Sequence, residues 1–213
     1  PLGTLGRVGA AFAIFERLVV RRDQASARAA LDGHVADGHA AFHRQVADRF
    51  AAIFDDIAGA ETLASSPNLK NLEILFLDSN PIGPEGARAV ACSEQLPRLQ
   101  ELHLDSTGIG DEGALAIAES PQLTDLKKLY LCSNKMGDAG AIALAKSASL
   151  RNLNVLSIWR NEIRDEGGKA LAESQTFMNL ERLYMSLNLM ERPVRKIIRG
   201  SELAKRLTTL VMD

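Results

Sequence analysis

The chain has 213 residues, with 25 Lys and Arg against 27 Asp and Glu, for a formal net charge of −2. A balance this close to neutral supplies no general attraction for nucleic acid or an anionic membrane, so neither is an expected partner. Two cysteines, Cys92 and Cys132, are too few for a disulfide framework and fit a reducing, cytoplasmic setting, with a secreted or host-delivered effector as the alternative.

The first quarter of the chain carries helical periodicity. Val8, Phe12, Phe15 and Val19 make one stripe, closed by Arg21, Arg22 and Asp23. Leu31, Val35, Phe42, Val46, Phe50, Ile53 and Ile57 make a second, at steps of three, four or seven, with Gly33 and Gly38 placed to bend or break it. The pattern predicts two or three amphipathic helices ending near Asp56. Glu16 and Arg17 interrupt the apolar part of residues 8–20, which is too short to span a bilayer and has no convincing small-residue cleavage site. No signal peptide is expected. The chain opens on Pro1 rather than methionine, as a trimmed chain or a fragment of a longer one would. His39 and His43 stand one helical turn apart with His34 nearby, but Ala40 follows His39 where a zinc protease needs glutamate, so they read as surface histidines.

From Gly59 onward the chain repeats. Leu75, Leu102, Leu129, Leu156, Leu183 and Leu210 recur at one constant step, as do Leu72, Leu99, Leu126, Leu153, Leu180 and Leu207. Leu77, Leu104, Leu131, Ile158, Met185 and Met212 keep the same step, and Asn80, Thr107, Asn134, Asn161 and Asn188 follow them. A second half of each unit runs from Gly59, Gly86, Gly113, Gly140 or Gly167 to Ser66, Ser93, Ser120, Ser147 or Ser174 through alanine-rich sequence. Its acidic start (Asp111 and Glu112, Asp138, Asp165 and Glu166) suits the amino end of a helix. Unbroken self-similarity at a fixed step is the signature of a solenoid.

The unit Leu-x-x-Leu-x-Leu-x-x-Asn followed by Ile-Gly-Asp-Glu-Gly-Ala resembles the leucine-rich repeat, in the version with a full α-helix found in ribonuclease-inhibitor-like proteins. The resemblance covers residues 59–213 and implies an α/β solenoid, a horseshoe with short parallel strands on the concave face and helices on the convex face. Strands stack about 4.8 Å apart and helices about 10 Å, so such a repeat curves with its strands inside. The expected organisation is a helical cap or module over 1–58, a half repeat over 59–71, five full repeats over 72–206 and a partial repeat over 207–213. Strands of about four residues are expected around Leu75–Leu77 and its equivalents, and helices starting near Gly86, Gly113, Gly140 and Gly167. The resemblance also implies an asparagine ladder through the turns, with the Thr107 hydroxyl partly substituting. A cap is expected at an end whose apolar face would otherwise meet water.

Function is expected where the repeat leaves positions free. Strand side chains alternate, so with Leu75 and Leu77 inward the concave face carries the other set. It reads Phe76, His103, Tyr130, Ser157, Tyr184 and Val211 along one line, and Asp78, Asp105, Cys132, Trp159, Ser186 and Asp213 along the next. The sole Trp and both Tyr fall here, and such residues anchor protein interfaces. Charge is graded, from Asp78, Glu101 and Asp105 to Lys128, Arg160 and Arg182. The candidate protein-binding set is Phe76, Glu101, His103, Asp105, Tyr130, Trp159, Arg160, Arg182 and Tyr184. Cys132 beside Asp105 and His103 invites a thiol-nucleophile reading, but no oxyanion site accompanies it and an ordinary thiol pKa is expected. Glycine–acid–glycine segments recur as strand-to-helix turns and not as a phosphate loop. No metal, cofactor or catalytic site is expected.

At the carboxyl end Glu191–Arg206 replaces the usual turn, with Pro193 in a helix's first turn and six cations against Glu191 and Glu202. It reads as a solvated outer helix, or else a docking patch for an acidic partner. The chain stops mid-repeat without a recognisable cap, so self-association through that end or through the helical amino terminus accompanies the main reading. That reading is a non-enzymatic module gripping a protein across the concave face. Its alternative is a GTPase regulator, because the activator of the nuclear-transport GTPase Ran is built on a similar repeat.

Overall fold

The computed structural model describes residues 57–65 and 67–212; the helical stripes of residues 8–56, the histidines at 34, 39 and 43, Ser66 and Asp213 lie outside them. Helix α1 (Ile57–Ala64) opens the described chain. Then strand and helix alternate: β1 (Ile74–Phe76), α2 (Gly83–Ala91), β2 (Glu101–His103), α3 (Gly110–Ala118), β3 (Lys128–Tyr130) and α4 (Asp138–Lys146). β4 (Val155–Ser157), α5 (Asp165–Ala172), β5 (Arg182–Tyr184), α6 (Arg192–Gly200), α7 (Glu202–Arg206) and β6 (Thr209–Val211) complete it.

The six strands form one parallel sheet in sequence order, and every pairing follows the repeat step, as in Leu75 to Leu102 and Leu102 to Leu129. The helices lie side by side on the other layer. Between the layers Leu72, Leu75 and Leu77, with their equivalents as far as β5, are almost fully buried. Each such leucine contributes about 1.5–3 kcal/mol by leaving water. Two further apolar columns complete the core: Ile82, Ile109, Met136, Ile163 and Met190 at the turn, and Leu96, Leu123, Leu150 and Phe177 after the helix.

Two expectations need correction. The strands are three residues long, not four, although backbone bonds continue beyond them, with Leu77 N–H donating to His103 at 2.9 Å and Ser79 N–H to Asp105 at 2.7 Å. The left-handed backbone at Ser79, Ser106 and Ser133 (φ 61, 59 and 57) ends the extended run. The helices begin at Gly83, Gly110, Asp138 and Asp165, up to three residues before the expected glycines. Those glycines sit in the first turn because neighbours crowd them. At Gly140 a Cβ would stand 2.7 Å from Asp111 Oδ1 and 3.0 Å from the Ala114 Cβ of the preceding helix.

Three ladders of hydrogen bonds tie each repeat to the next. Asn134 Oδ1 accepts from Thr107 N–H (3.0 Å) and Gly108 N–H (2.9 Å), and its Nδ2 donates to Leu104 (2.7 Å). Asn161 and Asn188 repeat the motif. Thr107 supplies part of it: its hydroxyl donates to Leu104 (2.7 Å), within its own turn, and lies 3.0 Å from Asn134 Oδ1. Ser93, Ser147 and Ser174 donate to Ala64, Ala118 and Ala145 of the preceding repeat, and Ser120 to Ala91. The third ladder runs through aspartate. Asp111 Oδ1 accepts from Gly137 and Gly140 N–H (2.7 and 2.8 Å), and Asp138 Oδ1 from Arg164 and Gly167 N–H (both 2.8 Å). Each carboxylate therefore caps the following helix, satisfying donors that a helix start leaves open.

The outer segment at the carboxyl end is two helices, not one. Ser201 breaks the run with extended backbone (ψ 159) and caps α7 by accepting from Ala204 N–H. Several of its cations hold structure: Arg199 donates to Met212 (2.7 Å), Arg195 to Met190 (2.9 Å), and Lys205 pairs with Glu202. Beyond β6 the described chain has no further strand, so Leu207 and Leu210 stay half-buried where their equivalents are buried.

Candidate functional site

The strands present the expected alternation. In β1, β2, β3 and β5 the middle leucine is buried and its two flanking residues keep some exposure. β4 differs, because Val155 and Ser157 are buried as well. They are short side chains between taller neighbours, Lys128 and Tyr130 on one side and Arg182 and Tyr184 on the other. The centre of the concave face is therefore a shielded dip, not a row of free positions.

On the amino-terminal side of that dip three rings stack across three strands. Phe76 and His103 lie 4.1 Å apart between centroids, and His103 and Tyr130 4.2 Å, with interplanar angles of 29° and 13°. The spacing is that of the strands themselves, so residues in register bring the rings face to face. An ion-paired cluster supports the stack. Glu101 receives Lys128 Nζ on Oε2 and His103 Nε2 on Oε1, each at 2.8 Å. Burial alone would raise the Glu101 pKa, but hydrogen bonds from Lys128 and His103 outweigh it and hold the carboxyl below its usual range. The hydrogen bond to Glu101 in turn raises Lys128. Burial, reinforced by the Glu101 charge, raises Tyr130. The result is a flat aromatic platform with a fixed polar edge.

Other candidates take other places. Asp105 is drawn into the framework: Oδ1 accepts from Cys132 N–H at 2.7 Å, as Asp78 Oδ1 accepts from Asp105 N–H at 2.9 Å. Burial raises its pKa despite that bond. Cys132 lies 3.1 Å from Ser157 Oγ, and burial, with the Asp105 charge, pushes the thiol up to about 11. The expected ordinary thiol is thus corrected to one that is harder to ionise and a poorer nucleophile. Tyr184 is two strands from Tyr130, across Ser157, and stands outside the stack. Arg182 is exposed on β5. Trp159 (38% exposed) lies beyond the strand end. Arg160 does not share the strand face; its backbone is left-handed (φ 55), which puts it on the rim where strands turn outward.

Sequence reasoning passed over Leu187 and Leu189, which are 55% and 49% exposed after β5. A signal was available. Leu187 falls in step with Ser79, Ser106 and Ser133, so a leucine stands where other repeats carry serine.

Among the described residues no cluster of three or more His, Cys, Asp or Glu could hold a metal ion, and no helix is long and apolar enough to cross a membrane. A polar hollow of about 410 Å³ lies at the strand-entry edge, lined by Gln100, Asp125, Lys127, Asn152, Asn154 and Asn179. Several of these side chains brace neighbouring repeats, as when Asn152 donates to Thr124 and Asn179 to Arg151.

Comparison with curated proteins returns no match. Comparison with protein families does: the family described as Leucine Rich repeat matches four consecutive units, residues 68–91, 95–118, 122–145 and 149–172. Each matched unit contains one strand and one helix of the solenoid. With periodic sequence, parallel sheet and family match in agreement, the chain belongs to the leucine-rich repeat proteins.

Proposed function

We propose that this chain is a non-enzymatic binding module whose concave platform, built on Phe76, His103 and Tyr130, receives another protein. The single observation that supports it most is the ring stack with its Glu101–Lys128 edge. Stacked rings give contact area at small cost in conformational freedom, and an ordered polar edge lowers the cost of binding. Leucine-rich repeats in general mediate protein–protein interaction, which supports the class of partner. The face has no enclosing walls of the kind a small-molecule cleft needs. The raised pKa of Cys132 argues against a thiol enzyme. No specific observation favours the GTPase-regulator alternative. Residues 1–58 serve, in this reading, to cover the amino-terminal end of the solenoid.

The test is affinity capture from native lysate with the full chain, comparing wild type with Tyr130→Ala and Phe76→Ala. Loss of one defined protein from both variants supports the platform, while unchanged capture from correctly folded variants refutes it. Capture that depends on added nucleotide would move the reading to the GTPase alternative. Tyr130→Ala should cost about 1 kcal/mol of stability, because the ring is half-buried and stacked.

A further inference from the structure

The rings of the concave face form a ladder with one rung missing. Phe76 and Tyr130 stand two strand steps apart and hold one ring between them, His103, stacked on both sides at 4.1 and 4.2 Å. Tyr130 and Tyr184 stand the same two steps apart, but the strand between them carries Ser157. A serine has only a hydroxyl beyond its Cβ, so at ring height this interval contains no group of its own strand. Among the described residues no second ring stacks on the far face of Tyr130.

The floor of the interval is finished. Ser157 is 7% exposed, and its Oγ lies 3.1 Å from Cys132 Sγ, so no polar atom there is left without a partner. Walls of aromatic carbon over a satisfied floor offer little for water to bind and much for a flat apolar group, because stacked rings attract beyond the area they bury. The Phe76–His103–Tyr130 stack shows, within the same sheet, that two strand steps accommodate one such ring.

The charges around the interval narrow the guest. The Tyr130 hydroxyl feels Glu101, Lys128, Tyr184 and Arg182, which places both tyrosines and both cations around one space. Lys128 is bonded to Glu101 at 2.8 Å, so that pair cancels. Arg182 is exposed and, among the described residues, makes no ion pair. Glu181 keeps step with Gln100, Lys127 and Asn154 and so belongs to the strand-entry edge rather than to this face. On the other flank the Oδ1 of Asp105 is taken by the Cys132 N–H. The charge left over the interval is positive, which disfavours a guanidinium as the flat guest and favours an aromatic ring with an anion beside it. We propose that the interval between Tyr130 and Tyr184, floored by Ser157, is a slot for one aromatic side chain of the protein partner, with a neighbouring carboxylate received by Arg182. This inference rests on the binding-module reading and deepens it: the guest completes an unbroken run of rings from Phe76 to Tyr184.

The walls of the slot are the chain's only two tyrosines, so isotope labelling of tyrosine rings lets nuclear magnetic resonance watch the walls alone. The full chain is titrated with N-acetyltryptophan, with its neutral amide, and with agmatine as a guanidinium probe. N-acetyltryptophan should move both tyrosine signals upfield together, to saturation with one Kd. The amide should bind several-fold more weakly and agmatine not at all, and Arg182→Gln should erase the difference between acid and amide. Ser157→Phe supplies the missing ring from the chain itself, so it should abolish both shifts with no loss of Tm. Tyr184→Ala, which leaves the floor untouched, should abolish the shift of Tyr130. The proposal is overturned if only one tyrosine responds, if neither does, if agmatine binds as tightly as N-acetyltryptophan, or if Tyr184→Ala binds as wild type does. A fall of several degrees in the Tm of Ser157→Phe would also overturn it, since the interval would then be filled already. So would a dimer in sedimentation that Tyr184→Ala dissociates, because the guest would then be a second copy of this chain. If Tyr130→Ala loses a lysate partner that Ser157→Phe retains, the platform stands and the slot falls. If neither variant loses a partner, the module reading falls and takes the slot with it.

Discussion

Asn134→Ala removes a central node of the asparagine ladder, and the structure sets its cost. Asn134 is 1% exposed, so water cannot replace its amide. Five bonds go; the long one from Ile109 N–H (3.4 Å) is weak and the Thr107 hydroxyl keeps Leu104, so three losses carry the cost. The Thr107 N–H, buried in the turn, loses its acceptor at 3.0 Å; an orphaned buried donor costs about 1–3 kcal/mol. The Gly108 N–H also loses an acceptor, but Gly108 is exposed and turns to water at little cost. The bond from Nδ2 to Leu104 is lost as well, though that carbonyl keeps the Thr107 hydroxyl, so this term is about 1 kcal/mol. The sum is a loss of about 2–4 kcal/mol. Urea unfolding followed by far-ultraviolet circular dichroism measures it, with Asn152→Ala as the control. That amide is exposed and its Nδ2 donates to a single carbonyl, Thr124, so its removal should cost less than about 1 kcal/mol. Equal losses from the two variants, or a loss below about 0.5 kcal/mol at Asn134, would refute the assignment of inter-repeat stability to the buried amide.

Asp111→Ala should destabilise by about 0.5–2 kcal/mol, as loss of a helix cap does, and amide exchange should quicken at Gly137 and Gly140, at the start of α4, rather than in Asp111's own helix. Quickening confined to α3 would contradict capping across the repeat. Alkylation of Cys132 at pH 8 should run about a hundredfold slower than for a thiol of pKa 9, with half-ionisation near 11; peptide mass spectrometry separates it from exposed Cys92, and fast labelling of Cys132 at pH 6 would restore the enzyme reading. Glu101 titrates lower folded than unfolded, so its contribution is fully present above the ordinary value of 4.5 and is lost as pH falls through the folded value. The Tm difference between wild type and Glu101→Gln should therefore shrink between pH 6 and pH 3; a constant difference would remove the ion pair from the account.

Much of this molecule is legible in its sequence, for a reason peculiar to solenoids. Each repeat touches only the repeats before and after it, so a constant step in sequence is also adjacency in space. Leu75, Leu102 and Leu129 disclose strand order, register and inward face together, because each pairs with the next in line. What the tertiary structure alone decided concerns bonds between unlike positions and the relative heights of side chains. Asp111, an acidic residue suited to its own helix, reaches instead to Gly137 and Gly140 of the next, across a gap that the missing Cβ atoms of those glycines leave open. Asp105, chosen as a binding carboxylate, is held by the Cys132 N–H once the strands align. Phe76, His103 and Tyr130 become one platform because parallel in-register strands repeat at the spacing of stacked rings, while Ser157 and Val155, open by pattern, are shielded by taller neighbours. Periodicity reports which residues are equivalent; exposure, strain and cross-repeat bonding depend on where they differ, and those differences act in three dimensions.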